Sequence, residues 1–357
     1  MNLVQVLHEG NSCAPTRCKQ YSFDVNQQAQ SLSAWEQKYN QHGAGQFNGY
    51  LDEIKLPGLH LFEEYTSHAV HQECCVNPNA VWIGFSMNSQ RPKVNGLQAE
   101  THQLMIRPAQ ESFELATPQD FHIFGIVIDR ELLLNGMQFG SQEQWENTQW
   151  ENTQWETATL VENNVPQHGC WSLVDLIRDV LSPQSILGQK LLEESAAQAH
   201  LHAMLRTAVM DRLSVFQVST EREPRSYHTR RQALRRLYQY IEQNGDYPLS
   251  ISDMCAIACV SQRTLQNCFE QELGVSPATF LRECRLNAVR RVLLDQSQQR
   301  AICDVALGFG FYHLGTFNHY YKLLFGETPS QTRDRALRYQ HAAVVQQFVT
   351  TSRSAFI

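Results

Sequence analysis

The stretch that decides the fold runs from Ser250 to Phe269 and reads SISDMCAIACVSQRTLQNCF. Ser250 precedes Asp253 by three residues, which is the spacing of a capping box at the start of a helix. Ser261 is the next capping residue, and apolar residues then recur every four positions at Leu265 and Phe269. The stretch therefore predicts a short helix, a tight turn and a second helix. This is the geometry that carries a helix into the DNA major groove.

A second stretch repeats this plan from Ile302 to Lys322 and reads ICDVALGFGFYHLGTFNHYYK. Val305 and Ala306 precede its predicted turn, which lies at Gly310 and Phe311. Between the two stretches, a long helix predicted for 278–294 begins after a capping Ser-Pro pair. The C-terminal domain is therefore predicted to be all-α, with two helix-turn-helix units joined by one helix. Two such units would reach adjacent major grooves about 34 Å apart.

On each recognition helix, the apolar residues recur on the face predicted to be buried. The side chains predicted to read bases are those on the opposite, outward face. On the first recognition helix, an Arg guanidinium can hydrogen-bond to guanine O6 and N7, and a Gln or Asn amide can hydrogen-bond to adenine N6 and N7. The second recognition helix is less polar, so shape or methyl contacts are predicted for it. The alternative for this face is an ordinary solvated surface. The predicted base-reading set is Gln262, Arg263, Gln266, Asn267, His313, Leu314, Thr316 and His319. Phosphate contacts are predicted for Arg282, Arg285, Arg290 and Arg333. For Arg285 and Arg290, a structural ion-pair role is the alternative.

These landmarks together resemble the AraC/XylS family of transcription regulators over about a hundred residues. The matching phrases are Ser261-x-x-x-Leu265-x-x-x-Phe269, Gly274-Val275-Ser276-Pro277, Arg285-Leu286-x-x-Ala288, Val305-Ala306-x-x-x-Gly310-Phe311 and Phe325-Gly326-Glu327-Thr328-Pro329-Ser330. The resemblance implies an effector-responsive activator whose partners are promoter DNA and RNA polymerase. Asn267 and His319 stand where the family usually carries Arg, so its base preferences do not transfer with the fold.

Charge is distributed unevenly along the 357 residues. The whole chain has a formal net charge of −7, yet residues 230–340 hold 14 Lys and Arg against 10 Asp and Glu. A basic C-terminal third on an acidic chain is typical of a DNA-binding domain fused to another domain. Ten cysteines are too dilute for a disulfide scaffold, and neither a leader nor an apolar run near 18 residues is present. A cytoplasmic protein without membrane attachment is predicted.

The N-terminal half consists of short apolar runs broken by Gly, Pro and Asn. This texture predicts an antiparallel sandwich or small barrel, and the resemblance implies a jelly-roll-like effector domain. The predicted strands are 47–56, 59–65, 69–75, 80–85, 103–106, 112–115 and 121–128. One amphipathic helix is predicted for 27–39. The fold class is therefore α+β, with a β-rich N-terminal domain and an all-α C-terminal domain.

The predicted domains follow these changes of texture. The helices predicted between 170 and 218 either pair two protomers as a homodimer or pack on the sheet. The tandem WENTQ repeat is interpreted as an expanded surface loop, with a ligand-stacking site as the alternative. The boundaries are a flexible terminus at 1–24, an effector-binding and dimerisation domain at 25–218 (β-rich 46–130, loop 140–157, helices 170–218), a linker at 219–228, a DNA-binding domain at 229–340 and a tail at 341–357.

Neither a metal site nor a catalytic site is predicted for this chain. The strand-rich region contains His60, His68, His71, His102 and His122. They lack the His-x-His and later Glu spacing of cupin-type metal sites, so no metal site is expected. No nucleophile elbow, P-loop or dinucleotide fingerprint occurs either, so no catalytic residue is assigned and the protein is predicted not to be an enzyme. The alternative is a jelly-roll enzyme, or another small-molecule sensor, fused to a DNA-binding domain.

A closer resemblance connects the chain with the regulators of ethanolamine-utilisation operons. The phrases that carry it include Gly45-Gln46-Phe47, Leu61-Phe62, Trp82-Ile83-Gly84, Phe113-Glu114-Leu115 and Gly125-Ile126-Val127. This resemblance implies ethanolamine and adenosylcobalamin as effectors, and no required cofactor is expected. The cobalamin-ligating pattern Asp-x-His-x-x-Gly is absent from the sequence, so a cobalamin would bind by shape. The effector-binding residues remain unknown at this stage.

Overall fold

The chain forms two compact units, which are described separately below. The first comprises residues 1–39 and 48–220, and the second comprises residues 40–47 and 221–357. The computed structural model describes residues 14–32, 35–77, 79–86, 90–94, 97–99, 104–107, 112–134, 160–161, 168–214, 232–234, 236–237, 240, 249–295, 297 and 300–338. The predicted linker, the WENTQ repeat, the C-terminal tail and His102 lie outside these ranges. So do most of residues 230–244, for which the sequence predicts the first helix of the DNA-binding domain.

The first unit is rich in β-structure. Its strands are β1 (Thr16–Ser22), β2 (Trp35–His42, which continues into the second unit), β3 (Gly49–Leu56), β4 (Leu59–Thr66), β5 (Ala69–Val76), β6 (Ala80–Phe85), β7 (Lys93–Val94), β8 (Leu97–Gln98), β9 (Leu104–Arg107), β10 (Ser112–Thr117), β11 (Phe121–Asp129) and β12 (Leu160–Val161). Its helices are α1 (Val25–Ser31), α2 (Arg130–Leu134), α3 (His168–Leu181), α4 (Ile186–Glu193) and α5 (Ser195–Ser214).

These strands build two sheets among the described residues. One has seven strands in the order β1-β3-β4-β11-β6-β9-β12, and the other has five in the order β2-β5-β10-β7-β8. Neighbouring strands such as β3 and β4 pair antiparallel, and β4 pairs antiparallel with β11 over its whole length, from Leu59 opposite Ile128 to Thr66 opposite Phe121. The larger sheet positions the interior side chains of this unit.

The larger sheet buries both of its faces. Alternate residues of β4, Leu59 and Leu61, belong to a cluster that includes Leu173 and Ile177 of α3. Phe62, on the opposite face, joins a second cluster with residues of both sheets. Because side chains alternate along a strand, β4 therefore contributes one face to the helices and the other to the space between the sheets.

The second unit is helical. Its helices are α6 (Ile251–Ala258), α7 (Gln262–Leu273), α8 (Pro277–Leu294), α9 (Ile302–Gly308) and α10 (Leu314–Phe325), followed by helical residues 329–338. Ser250 forms the predicted capping box with Asp253, and Gly274 ends α7 with a φ of 69°. Phe269 and Phe280 lie in one apolar core of this unit, whereas the core around Phe317 is separate. Each core belongs to one helix pair, α6–α7 or α9–α10.

The α+β class with a sheet-rich N-terminal region and a helical C-terminal region is confirmed. The predicted strands correspond to β3 to β6 and β9 to β11, and the helices predicted within residues 249–338 are present to within a residue or two. None of the described helices combines the length and the apolar character needed to cross a bilayer.

Three local predictions were wrong. The predicted helix at 27–39 divides into α1 and β2, and Leu32 between them has an extended backbone (φ −83°, ψ 95°). The predicted flexible terminus includes β1, which pairs with β3. The sequence predicts one helix over residues 187–218, but the structure interrupts it at Glu194, whose extended backbone caps α4. In each case sheet pairing or a cap overrides an apolar period that fits a helix.

Candidate nucleic-acid interface and a buried polar cluster

The first helix pair turns through a left-handed residue. Cys259 has φ 55° and ψ 43°, a conformation in which non-glycine residues are uncommon. The Val260 amide donates to the Cys255 carbonyl at 3.1 Å, which closes the end of α6. Ser261 then caps α7, because its Oγ accepts a hydrogen bond from the Thr264 amide at 3.2 Å. The turn therefore ends one helix and starts the next within three residues.

The second helix pair uses the same turn with different residues. Gly310 occupies the left-handed position with φ 81°. The Phe311 amide donates to the Ala306 carbonyl at 2.9 Å, five residues back, as Val260 does in the first pair. His313 precedes α10 without a side-chain cap bond. The two pairs are thus equivalent in backbone geometry at the turn.

The eight side chains predicted to read bases are all exposed. On α7 they share the outward face, while Leu265 and Phe269 on the same helix are fully buried. On α10 the exposed set is less polar, since Leu314 is 42% exposed and Tyr312 beside it is 70% exposed. Gln266 donates to Glu270 at 3.0 Å, one turn along α7. The arrangement gives α7 amide and guanidinium groups and gives α10 mainly rings and apolar groups.

Arg282 and Arg333 are two of the four arginines predicted to bind phosphate, and both have partly exposed side chains. The Arg282 guanidinium lies 4.1 Å from the centre of the Tyr320 ring on α10 and 3.4 Å from the Thr279 hydroxyl. Arg333 is half-buried, and its Nη2 has no hydrogen-bond partner among the described residues. The contact with Tyr320 connects α8 and α10, a relation that sequence spacing alone did not reveal.

The other two arginines make the contacts of structural partners. Arg290 is 3% exposed, and its Nη2 donates to Glu327 at 2.7 Å. Arg285 donates to the Leu249 carbonyl, and burial lowers the pKa of its guanidinium. Both therefore match the alternative role left open by the sequence, with the difference that Arg285 bonds to a backbone carbonyl instead of an acid.

A buried carboxyl group lies between the sheets of the first unit. Glu64 is 2% exposed, and its Oε1 accepts hydrogen bonds from Gln28 Nε2 at 2.9 Å and from the Tyr39 hydroxyl at 3.0 Å. Burial raises the pKa of Glu64 to about 7, although both hydrogen bonds oppose the rise. Burial also raises the pKa of Cys74, and the charge of Glu64 adds to that effect. The Glu64 carboxyl is therefore able to exchange a proton near neutral pH.

Further polar side chains share this interior. Arg107 is 2% exposed on β9, with its guanidinium 5.6 Å from the centre of the Phe113 ring. His60 Nε2 lies 2.8 Å from Glu53 Oε2, and burial lowers the pKa of His60 despite this carboxylate. Ionisable groups are costly to bury and concentrate at functional sites. The interior is thus a candidate ligand site, with Glu64 and Arg107 as groups of opposite charge type.

Sequence analysis missed this cluster. The only signal was that Glu64 stands two residues after Phe62, which places both on the same face of an alternating strand. Tyr39 was assigned to a helix, so its approach to Glu64 was not visible. Where the structure describes side chains, no three His, Cys, Asp or Glu residues converge as metal ligands would.

Comparisons with known proteins concern the helical unit. A family model described as a helix-turn-helix domain matches residues 254–335. The XylDLEGF operon transcriptional activator of Pseudomonas putida is 39% identical over 98 residues, which make up 27% of this chain and 30% of that protein. The HTH-type transcriptional regulator ArgR of Pseudomonas aeruginosa is 33% identical over 95 residues, or 27% of this chain and 28% of that protein.

A solved structure matches over the same region. The crystal structure of a probable AraC family transcriptional regulator from Rhodopseudomonas palustris is 35% identical, with a TM-score of 0.28. The match covers 29% of this chain and 96% of that one. By contrast, this chain spans less than a third of the length of the two regulators above.

Proposed function

We propose that the chain is a sequence-specific DNA-binding transcriptional regulator of the AraC/XylS family, supported by the helix-turn-helix family model that matches residues 254–335 and by the similarity to known transcriptional activators. The observation that carries the proposal is the repeated turn: α7 and α10 each follow the same left-handed turn and each present predicted reading side chains to solvent. A helix held in this way is suited to the major groove. The α6–α7 and α9–α10 pairs then act as two helix-turn-helix units.

The first helix pair, α6–α7, supplies most of the base recognition. Arg263 forks onto guanine, and Gln266 and Asn267 bond to adenine edges. His313, Leu314, Thr316 and His319 of α10 contribute methyl and shape contacts. Arg282 and Arg333 bind phosphate, whereas the internal bonds of Arg285 and Arg290 support their structural role.

The N-terminal unit is the sensor in this proposal. Its two sheets form a jelly-roll-like domain that binds a small effector between them, where Glu64 and Arg107 lie. Ethanolamine is the candidate supported by the resemblance, and an ammonium group near Glu64 would favour the ionised carboxyl. Adenosylcobalamin is the second candidate. The regulator then activates a catabolic operon by contacting RNA polymerase, as a homodimer in which the α3–α5 region contributes the interface.

DNA binding is tested by selection from a random duplex library with the full chain. The selected duplex should bind tighter than a scrambled duplex of equal length by about 10³-fold or more at physiological salt. Anisotropy titrations across salt concentrations separate base readout from counterion release. Sequence-blind, salt-sensitive association alone would contradict the proposal.

The sensor role is tested by thermal shift with ethanolamine, other small amines and cobalamins. A ligand that binds the folded state at a hundred times its Kd stabilises it by about 2.7 kcal/mol. Glu64→Gln should reduce the shift given by an amine, while the exposed control Gln189→Ala should leave it unchanged. A shift of equal size in both variants would exclude Glu64 from the amine site.

The pH dependence of stability tests the protonation state of Glu64. Because its folded-state pKa is about 7, above its ordinary 4.5, the folded protein holds a proton that the unfolded chain releases between these values. Stability due to this group is therefore fully present below about 4.5 and is lost as pH rises through about 7, by up to about 3 kcal/mol. Urea unfolding of the wild type and Glu64→Gln across this range measures the difference. A wild-type slope unchanged by the substitution would contradict the assignment.

A further inference from the structure

Residues 40–47, here called the strap, belong to the second unit although most of that unit follows residue 220. The Gln41 amide donates to Asn287 Oδ1 at 3.0 Å, and Asn287 Nδ2 donates back to the Gln41 carbonyl at 3.0 Å. One side-chain amide on α8 thereby satisfies both backbone groups of a strap residue. Asn287 has no exposed surface. This reciprocal pairing anchors the strap on the long helix.

Two neighbouring side chains of α8 extend the anchor. Glu283 Oε2 lies 2.7 Å from His42 Nδ1, and Arg291 Nη1 donates to Asn40 Oδ1 at 2.7 Å. Positions 283, 287 and 291 are four residues apart, so the acid, the amide and the base form one stripe along α8. Each of these three side chains of α8 therefore contacts a complementary polar group of the strap. Apolar packing alone would not require such a match.

The strap contacts the second helix pair directly and the first helix pair through Phe280 of α8. Gln41 Nε2 donates to the Leu324 carbonyl at 2.7 Å, and the Gly45 amide donates to the same oxygen at 3.1 Å. These bonds satisfy a carbonyl in the last turn of α10, which has no partner within its own helix. At the other end, the His42 ring stacks on Phe280 at 5.7 Å, and Phe280 lies 4.9 Å from Phe269 of α7.

The predicted reading side chains stay exposed with the strap in place. Arg263 and Asn267 on α7 and His319 on α10 are all exposed, and the strap bonds to the opposite, C-terminal end of α10. The strap thus braces the helices without covering them. We propose that residues 40–47 are a positioning element that sets α7 and α10 relative to each other, so that both bind DNA at once. This inference rests on the DNA-binding function proposed above.

The test compares Asn287→Ala with the wild type in the full chain. Two duplexes derived from the selected sequence are used, one with both half-sites and one with the second half-site scrambled. Loss of two buried hydrogen bonds should loosen the strap, so hydrogen exchange of peptides covering residues 40–47 should rise about tenfold or more. Affinity for the duplex with both half-sites should fall about tenfold, because the second contact loses effective concentration. Affinity for the single half-site should change less than about twofold.

Controls make the outcomes decisive. Gln90→Ala removes an exposed amide that lies before β7, outside the proposed sites, and should match the wild type in every measurement. Equal loss of affinity for both duplexes, unchanged affinity for both, or unchanged exchange in the strap would each overturn the positioning role. If Asn287→Ala unfolds the unit, His42→Ala carries the same comparison, because it leaves the bonds between Gln41 and Asn287 intact. A wild-type chain that selects no sequence would refute the proposed function, whereas strap exchange still reports docking.

Discussion

The two helix pairs of the second unit share a backbone turn but present different surfaces. Val260 and Phe311 make equivalent amide bonds to carbonyls five residues earlier. The first pair places Cys259 at the left-handed position and caps its second helix with Ser261, whereas the second pair has Gly310 and no side-chain cap. The backbone geometry is therefore set by hydrogen bonds that several residues can provide. The exposed side chains are then left to differ in what they recognise.

The pairs also differ in how they are held to the rest of the unit. Arg290 connects α8 with Glu327 after α10, and its guanidinium also lies 3.4 Å from both the Tyr321 hydroxyl and the Thr332 hydroxyl. Arg285 holds the residue before the Ser250 cap of α6 through a single bond to the Leu249 carbonyl. A buried charge with a charged partner costs more to disrupt than one bond to a neutral carbonyl. The second pair is therefore the more tightly fixed of the two.

The largest effect should come from removing the ionic contact of the second pair. Arg290→Ala leaves Glu327 with the Thr332 hydroxyl and the more exposed Arg335, at 3.1 Å, and should lower the free energy of unfolding by about 3 kcal/mol. Arg285→Ala should cost about 1–2 kcal/mol. Urea unfolding followed by circular dichroism measures both. Equal costs would show that the pairs are held with equal strength.

A difference in base readout should follow from the two surfaces. Arg263→Ala should remove about 1–3 kcal/mol of discrimination at one base pair of the selected duplex. His319→Ala, its counterpart on the second reading helix, should change discrimination by less than about 0.5 kcal/mol while shifting overall affinity. Anisotropy on a set of single-base variants gives both values. Greater loss of discrimination in His319→Ala would reverse the assignment of the main reading helix.

The shared turn can be tested by exchanging its residue types. Gly310→Ala places a Cβ on a backbone with φ 81° and should cost about 1–2 kcal/mol. Cys259→Gly removes the side chain from a residue with a left-handed backbone, but glycine also raises the conformational entropy of the unfolded chain. The free energy of unfolding should therefore stay within about 0.5 kcal/mol of the wild-type value. Thermal unfolding of each variant is the measurement. A large loss in Cys259→Gly would mean that the thiol contributes contacts beyond the turn.

The smallest expected effect concerns the caps. Ser261→Ala removes the bond to the Thr264 amide at 3.2 Å and should cost about 1 kcal/mol. His313→Ala should stay within about 0.5 kcal/mol of the wild type, since His313 makes no cap bond. Hydrogen exchange in the first turns of α7 and α10 resolves the two ends. A comparable change at both helices would indicate an unrecognised cap at His313.

Local sequence signals were sufficient wherever the structure depends on near neighbours. The capping box of Ser250 and Asp253 involves residues three apart, and the helix stop at Gly274 needs only a residue tolerant of positive φ. The apolar runs that became β4 and β11 were likewise readable from their own composition. Predictions failed where a distant partner decided, as at Tyr39, whose hydroxyl bonds to Glu64 on another strand.

The amino-acid sequence by itself determined the helix pairs, their caps and the side chains that face outward, because each depends on spacing within about twelve residues. Only the tertiary structure decided which buried polar groups meet. Gln28, Tyr39 and Glu64 converge from three elements, and Gln41 meets Asn287 across 246 residues. No periodic pattern encodes such pairings, since a hydrogen bond between distant residues depends on how the intervening chain folds.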